Sequence, residues 1–164
     1  MEQQMKRKKN WMKQYVCGRK YLMEIKRLEE VAAVERTKAG EILQEGVSLI
    51  RLSACNGNVI FTENKVRGEA GWVKLTAKEG IDPKYLYYQT EYEMQRFLER
   101  YQTGINLKFE ELKYFKIRTI PIEQQKNFVK ALDLIDKNIK REEETVNKIQ
   151  QYKRKMLHQM FAQN

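Results

Sequence analysis

Apolar residues recur at helical spacing through the last quarter of the chain. After Pro121, which ends a strand-like apolar run, they advance in alternating steps of four and three residues from Phe128 to Met160. This is the heptad pattern of a helix that packs against another helix. About 38 residues of helix extend roughly 57 Å, about twice the diameter of a small domain, so most of the stripe has to contact a second helix.

The stripe interleaves eight apolar positions with two charged ones. We predict that all ten form a dimer interface: Phe128, Leu132, Ile135, Ile139, Glu142, Val146, Ile149, Lys153, Met156 and Met160. Two copies paired antiparallel about the point between Asn147 and Lys148 would place Glu142 opposite Lys153, whereas a parallel pair would place like charges together. The alternative is that both charged side chains extend from the edge of the seam into water.

The residues before this helix predict a mixed α/β domain. Residues 21–36 have the apolar spacing of a helix, and residues 37–46, with two glycines, indicate a loop. Residues 47–63 predict a β-hairpin with a tight turn at Asn56-Gly57, and residues 71–76 predict a further strand.

A second helix is predicted from its N-terminal signals. Asp82 is an N-cap residue, and Pro83 follows at the first helical position, where a proline costs no hydrogen bond. The helix is expected to end near Tyr101. A loop around Gly104, a short helical turn at 109–112 and a strand that ends at the second proline are expected to follow.

The fold class is therefore α+β, with a small mixed α/β domain at 21–121 followed by a long C-terminal coiled-coil-type helix at 122–164. Residues 1–20 form a basic N-terminal segment. Within it, QQMKRK at 3–8 matches QQYKRK at 150–155 in five of six positions. Either the match is chance, or the chain begins with the end of a second helix of the same kind.

The net charge of +10 suits a polyanionic partner, either nucleic acid or an anionic membrane face. It is unevenly distributed: residues 1–20 carry about +6, residues 123–164 carry +3, and residues 21–122 carry only +1. A nucleic-acid-binding face on the central domain therefore has to be a local patch.

Several functions are excluded by what the sequence lacks. No apolar run approaches the ~18 residues of a membrane span, so no membrane partner is expected. Cys17 and Cys55 have no metal-ligand spacing, which favours a reducing cytoplasm, and the lone His158 cannot build a catalytic triad. The Glu-x-Lys triplet that begins at Glu111 has no paired aspartate of a nuclease site. We expect no catalytic residues, no metal and no cofactor.

Four stretches carry a resemblance to a known family: IDPKYLYYQT, GINLKFEELKYFKIRTIPI, QQKNFVKALDLIDKNI and YKRKMLHQMF. In this order and spacing they resemble the DNA-specificity subunits of type I restriction–modification systems. The chain is similar to one half of such a subunit, with one target-recognition domain and one conserved-region helix. Gln124 stands where the family usually has Glu, and the tryptophan and Gly-Pro pattern common near the start of such domains is missing at 37–46.

The resemblance implies a non-enzymatic, cytoplasmic protein. Such a subunit recognises one half of a bipartite double-stranded DNA sequence and scaffolds adenine-methyltransferase subunits, and through them the restriction subunit. In keeping with this, the Pro-Pro motif of an adenine methyltransferase is absent, since the only prolines are Pro83 and Pro121. We expect a homodimer of the chain.

Candidate DNA contacts are chosen for side chains that match base edges or phosphates and lie near loop glycines. Base contacts are expected near three glycines. They come from Arg36 and Lys38 before Gly40, from Lys65 and Arg67 before Gly68, and from Thr103, Asn106 and Lys108 around Gly104. The last group has additional support because similar loops in the family approach DNA. Phosphate contacts are expected from Lys74, Lys78, Arg96 and Arg100.

Two other functions remain open from the residues alone. The long helix is also compatible with a non-enzymatic coiled-coil adaptor whose basic charge is incidental, or with a basic DNA-binding protein that ignores sequence. Salt-dependent binding with a large preference for one sequence separates the three, because an adaptor shows neither effect and a sequence-blind binder shows only the first.

Overall fold

The computed structural model describes residues 23–161, which divide into a unit at 23–129 and a unit at 130–161. Its elements in chain order are β1 (Glu24–Arg27), α1 (Leu28–Val31), β2 (Ala32–Arg36), β3 (Ile42–Leu43), β4 (Ser48–Arg51), β5 (Val59–Phe61), β6 (Val66–Arg67), β7 (Trp72–Ala77), α2 (Pro83–Tyr101), a 3-10 helix (Phe109–Tyr114), β8 (Lys116–Thr119) and α3 (Ile122–Phe161). The predicted α+β class with a long C-terminal helix is confirmed. The expectations for residues 1–20 lie outside the described residues, and the division into three segments stays a prediction.

Strands of the 23–129 unit pair antiparallel in three groups. A four-stranded sheet has the order β2-β7-β4-β5, and two-stranded ladders join β1 to β8 and β3 to β6. Central strands contribute fully buried side chains, including Ile50, Val73 and Leu75, to a core that also contains Leu86 and Met94 of α2. The sheet and α2 therefore share one hydrophobic core, which holds the connecting loops in place.

Helix α2 begins as its sequence predicts. Oδ1 of Asp82 accepts hydrogen bonds from the backbone N–H groups of Lys84 and Tyr85, at 2.9 and 3.0 Å. Pro83 occupies the first turn, where no intrahelical partner is lost. The predicted end at Tyr101 is also confirmed. Local signals were sufficient here because each of these bonds joins near neighbours in the chain.

The helix predicted over 21–36 is wrong. The described residues form β1, the single helical turn α1 and β2. Leu28 and Val31 are buried three residues apart, so the helical spacing was real for that one turn only. Ile25 lies in β1 and is 66 % exposed, and β2 is held by its ladder with β7 from Ala32 to Arg36. Strand pairing with distant residues has overridden the local periodicity.

The hairpin predicted over 47–63 is confirmed, but its tight turn is not. β4 and β5 pair antiparallel, with Ser48 opposite Phe61, and residues 52–58 connect them. Gly57 has the expected positive φ of 84°, whereas among the described residues other than glycine only Ala54 shares that sign. The predicted loop at 37–46 also contains β3, a two-residue strand that the sequence did not reveal.

Candidate nucleic-acid interface

The first group of predicted DNA-contact residues gathers around the short ribbon of β3 and β6. The N–H of Gly40 donates to the carbonyl oxygen of Gly68 at 3.0 Å, and the N–H of Gly68 donates to that of Glu41 at 2.7 Å. The backbone of Lys38 lies next to Gly68, the residue that follows Arg67, so the two predicted contact residues are neighbours. A Cβ atom at position 68 would lie 3.2 Å from the Glu41 carbonyl oxygen, a very close contact. A larger residue would need the Glu41 carbonyl to move by a few tenths of an ångström, so glycine favours this close approach of two chain segments.

The other two members of this group differ in their surroundings. Lys65 lies in the exposed segment before β6. Arg36 ends β2, where its guanidinium lies 3.4 Å from a carboxylate oxygen of Glu110 and 4.9 Å from the centre of the Phe109 ring. Both partners belong to the 3-10 helix, so Arg36 connects the ribbon group to the segment that follows the second group.

Lys74 is held by two carboxylates. Its Nζ atom lies 2.6 Å from Glu41 and 3.0 Å from Glu35, which raise the pKa of the lysine. The pKa of Glu41 is lowered, first by the hydrogen bond from the backbone N–H of Lys38 and then by Lys74. The lysine therefore fastens the loop at 38–41 to the sheet, and its charge is already compensated. This geometry gives Lys74 a positioning role, and its predicted phosphate contact stays a prediction.

The second group lies on the loop between α2 and the 3-10 helix. Its backbone is tied to the loop after β4, since Cys55 N–H donates to the Ile105 carbonyl and Leu107 N–H donates to the Leu52 carbonyl, both at 2.9 Å. Four consecutive residues of this loop are exposed: Thr103, Gly104, Ile105 and Asn106. Lys108 is exposed at the start of the 3-10 helix. The loop is thus anchored at its base and open at its tip.

Asn106 has a structural bond as well as an exposed position. Its Oδ1 atom accepts a hydrogen bond from the backbone N–H of Ala54 at 3.0 Å. This bond orients the side chain through one lone pair of the oxygen and leaves the amide NH₂ to face a partner. Asn106 therefore offers two N–H donors, and its oxygen, the acceptor in bidentate recognition of adenine, keeps one lone pair.

The remaining predicted phosphate contacts separate into two kinds. Lys78 donates from Nζ to the carbonyl oxygen of Glu29 at 2.5 Å, which is a structural contact. Arg96 and Arg100 lie one turn apart on α2 and are exposed. Lys116 and Arg118 of β8 point to the same side as each other, because one residue separates them on a strand, and they were missed. The alternation Lys-Ile-Arg, with Ile117 fully buried, was the signal that could have identified them.

The predicted seam on α3 changes character along its length. Phe128 is 1 % exposed and meets the Tyr85 ring edge-on, with 5.5 Å between centroids, so it belongs to the core of the 23–129 unit. Leu132 is also fully buried in the single chain, and Ile135 and Ile139 are half-buried. Phe128 and Leu132 are thus already covered in the single chain, and the contact of these two residues with a second copy stays a prediction.

From Glu142 onward every described residue of α3 is exposed. The apolar seam members there are 51 to 68 % exposed: Val146, Ile149, Met156 and Met160. Apolar side chains of this size at heptad spacing need a covering surface. Among the described residues, no helix is long and apolar enough to cross a membrane. The part of the chain from 23 to 161 also contains no group of His, Cys, Asp and Glu side chains that could hold a metal ion.

Comparison with known proteins identifies this arrangement. A family model described as the type I restriction modification DNA specificity domain matches residues 24–151. The fold is similar to the type I restriction–modification S subunit of M. genitalium, with a TM-score of 0.65 and 14 % sequence identity over 82 % of this chain and 44 % of that one. No curated protein sequence matches the chain at a significant level.

Two further solved structures share the fold. The HsdS subunit of Thermoanaerobacter tengcongensis has a TM-score of 0.56 and 15 % identity, over 71 % of this chain and 38 % of that one. The third structure is described as the structural basis underlying complex assembly and conformational transition of the type I R-M system. Its chain has a TM-score of 0.63 and 15 % identity, over 84 % of the present chain and 43 % of that one. The present chain thus spans less than half the length of each of these chains.

Proposed function

Because the chain belongs to the family of type I restriction–modification DNA specificity domains, we propose that it recognises one half of a bipartite double-stranded DNA sequence. The observation that carries the proposal is the pair of exposed loop groups on the 23–129 unit, which Arg36 and the 3-10 helix connect. Base contacts come from Arg36, Lys38, Lys65, Arg67, Thr103, Asn106 and Lys108, beside Gly104. These residues supply the donors that base edges require, and both loops are held rigidly at their bases.

The chain performs no methylation or cleavage of its own. Its described residues offer exposed cations and amides but no cluster of acidic or histidine side chains for a metal. A specificity subunit recognises the site and leaves the chemistry to its partners. Methylation or cleavage of DNA by the purified chain would contradict this part of the proposal.

Two copies assemble through the exposed part of α3. An antiparallel pair centred between Asn147 and Lys148 places Val146 opposite Ile149, and the outer apolar pairs are Ile139 with Met156 and Ile135 with Met160. In this register residues 134–161 overlap, and the overlap begins just after Leu132, the last fully buried seam residue. The exposed stripe is therefore used in full, and the covered positions fall outside the pairing.

Charge favours the antiparallel arrangement. The register turns both interruptions of the seam into Glu142–Lys153 pairs, twice by symmetry. A parallel pair would place Glu142 against its own copy and Lys153 against its own copy. Like charges within a seam select against that arrangement.

The dimer presents two recognition units to DNA and a scaffold to other subunits. Two-fold symmetry predicts a palindromic site of two inverted half-sites separated by a fixed gap. The partners proposed are a type I methyltransferase subunit, bound directly, and a restriction subunit, bound indirectly. Support comes from the family and from the likeness to the third solved structure, which is described as the basis of complex assembly in the type I R-M system.

Selection of bound sequences from random duplex DNA tests the proposal. We expect inverted half-sites with one fixed spacing, and affinity that falls as salt rises. Salt-dependent binding without a selected sequence would favour a sequence-blind binder, and no DNA binding would favour an adaptor. An asymmetric site without a gap would contradict the dimer. The solution mass of the chain, alone and with a methyltransferase subunit, tests the assembly separately.

A further inference from the structure

We propose that a cleft on the 23–129 unit grips the phosphate backbone of DNA beside the recognised half-site. This inference rests on the proposed function, and it adds a contact surface that the recognition loops do not contain. The cleft has a volume of about 290 Å³ and lies between α2, the end of the 3-10 helix, β8 and β1. Its lining includes four cationic side chains and one carboxylate, on a segment of the chain that is otherwise almost neutral.

Two elements each supply a pair of cations on one side. Arg96 and Arg100 are four residues apart on α2 and so share a face of the helix. Lys116 and Arg118 are two residues apart on β8 and share a face of the strand. The residue between them, Ile117, is fully buried, which fixes the direction of the strand's outward face.

The single carboxylate in the cleft, that of Glu93, forms ion pairs with only two of the four cations. Glu93 lies 3.2 Å from the Arg118 guanidinium and 4.0 Å from that of Arg96. Within residues 23–161, Arg100 and Lys116 take part in no ion pair. Both side chains are exposed. The cleft therefore holds two cations whose charge no described carboxylate compensates, and these can receive an anion.

The aromatic lining favours a phosphate over a base as the bound group. The rings of Tyr101 and Tyr114 stack on each other, with 5.4 Å between centroids and an angle of 7°. The ammonium group of Lys113 lies 4.8 Å from the centre of the Tyr114 ring. Because that ring is already engaged twice, the cleft offers charge and hydroxyl groups and little open ring face for a stacked base.

The position of the cleft fits the backbone of a duplex that faces the recognition loop. The 3-10 helix begins after the loop at 103–108, whose tip is exposed, and ends at the cleft. Its six residues rise about 2 Å each, so its two ends are about 10 Å apart. A DNA groove is of similar width. When the loop contacts a base edge, the sugar–phosphate backbone at the side of that groove therefore lies within reach of Arg100 and Lys116.

The test is the salt dependence of DNA binding by the full-length chain. The double variant R100Q/K116Q is compared with wild type, with the charge-preserving R100K/K116R, and with K126Q/K137Q, which removes two exposed charges outside the cleft. Each is titrated with the selected duplex and with a scrambled duplex of the same length. Circular dichroism verifies that all four fold.

We expect R100Q/K116Q to lose affinity for both duplexes by the same factor, so that sequence preference is kept. Its slope of log affinity against log salt should fall by about two, since each lost phosphate contact contributes about 0.9. R100K/K116R should keep most of the slope, and K126Q/K137Q should match wild type. These four results together support the proposal.

Three results would overturn it. The first is a slope for R100Q/K116Q equal to that of K126Q/K137Q. The second is a loss of sequence preference without a change in slope, which would make the cleft a base-contact site. The third is unchanged DNA binding with lost binding of a methyltransferase subunit, which would assign the cleft to an acidic protein segment. If wild type itself prefers no sequence, the proposed function fails, yet the slopes still decide about the cleft.

Discussion

The side-chain oxygen Oε1 of Gln125 accepts a hydrogen bond from the backbone N–H of Asp82, with 2.8 Å between nitrogen and oxygen. The amide nitrogen of the same side chain donates to the carbonyl oxygens of Ile120 and Gly80, at 2.7 and 3.1 Å. Gln125 is 1 % exposed and stands in the first turn of α3. One buried amide therefore joins the start of α3 to the N-cap of α2 and to the end of the segment after β8.

Replacing this amide is expected to destabilise the 23–129 unit. Gln125→Leu leaves the N–H of Asp82 and the Ile120 carbonyl without partners, and each buried orphan costs about 1–3 kcal/mol. Gln125→Glu keeps the shape but turns an acceptor towards two carbonyls, so it should be at least as harmful. Chemical denaturation measures the free energy of unfolding of both variants, and Lys126→Gln, at an exposed position of the same helix, serves as the control. Unfolding midpoints equal to that of the control would refute the role given to this residue.

The ion pairs of Lys74 predict a pH-dependent contribution to stability. The pKa of Glu41 is lowered from 4.5, so its contribution is present above that pH and is lost as the pH falls. The pKa of Lys74 is raised from 10.5, so its contribution is present below that pH and is lost as the pH rises. Glu41→Gln should therefore lower the thermal midpoint at about pH 7 and leave it nearly unchanged at about pH 3. The exposed Glu45→Gln serves as control, and an equal loss at both pH values would speak against the ion pair.

The change in seam character predicts two distinct phenotypes. Phe128→Ala should cost about 3–5 kcal/mol of unfolding free energy, because it opens a cavity against Tyr85 in the core. Ile149→Ala should leave the folded monomer intact and weaken the dimer. Denaturation and sedimentation equilibrium separate the two effects. A dimer that dissociates in Phe128→Ala while its unfolding free energy is unchanged would place that side chain back in the interface.

A charge exchange tests the register of the proposed helix pair. Glu142→Lys and Lys153→Glu should each weaken dimerisation, by less than the ~3–5 kcal/mol that breaking a fully buried pair costs. The double variant should recover most of the affinity, because both pairs are restored with their signs reversed. The dimer dissociation constant of each variant is the measurement. A double variant as weak as the two single effects combined would show that these residues do not face each other.

The sequence predicted those features whose causes are local. The cap at Asp82, the proline at position 83 and the helical spacing of α3 each involve residues within a few positions of one another, and the structure contains both helices that they predict. The helix predicted over 21–36 failed because β2 is fixed by β7, about forty residues later. A pattern confined to sixteen residues carries no information about that pairing.

The sequence indicated which residue types belong to the candidate site, but not which of them the fold brings together. Exposed cations near glycines suggested the two loop groups, whose DNA contacts stay predictions. The partners of Lys74 could not be foreseen, since Glu41 is 33 positions away in the chain. Arg96 and Arg100 of the cleft were predicted as phosphate contacts, but Lys116 and Arg118 were missed for the same reason, because α2 and β8 meet only in the folded unit. Folding decides which charges are compensated and which stay available.

Gly68 also sets the terms on which this protein can acquire a new specificity. A Cβ atom at this position would press on the backbone of Glu41, and the same backbone holds the ribbon in register. Lys65 and Arg67 lie three residues and one residue before it, and both side chains are exposed, so we expect that other side chains at these two positions leave that contact in place. Under the proposed function, evolution or a designer can therefore exchange these two predicted recognition residues one at a time while the glycine keeps the ribbon backbone unchanged.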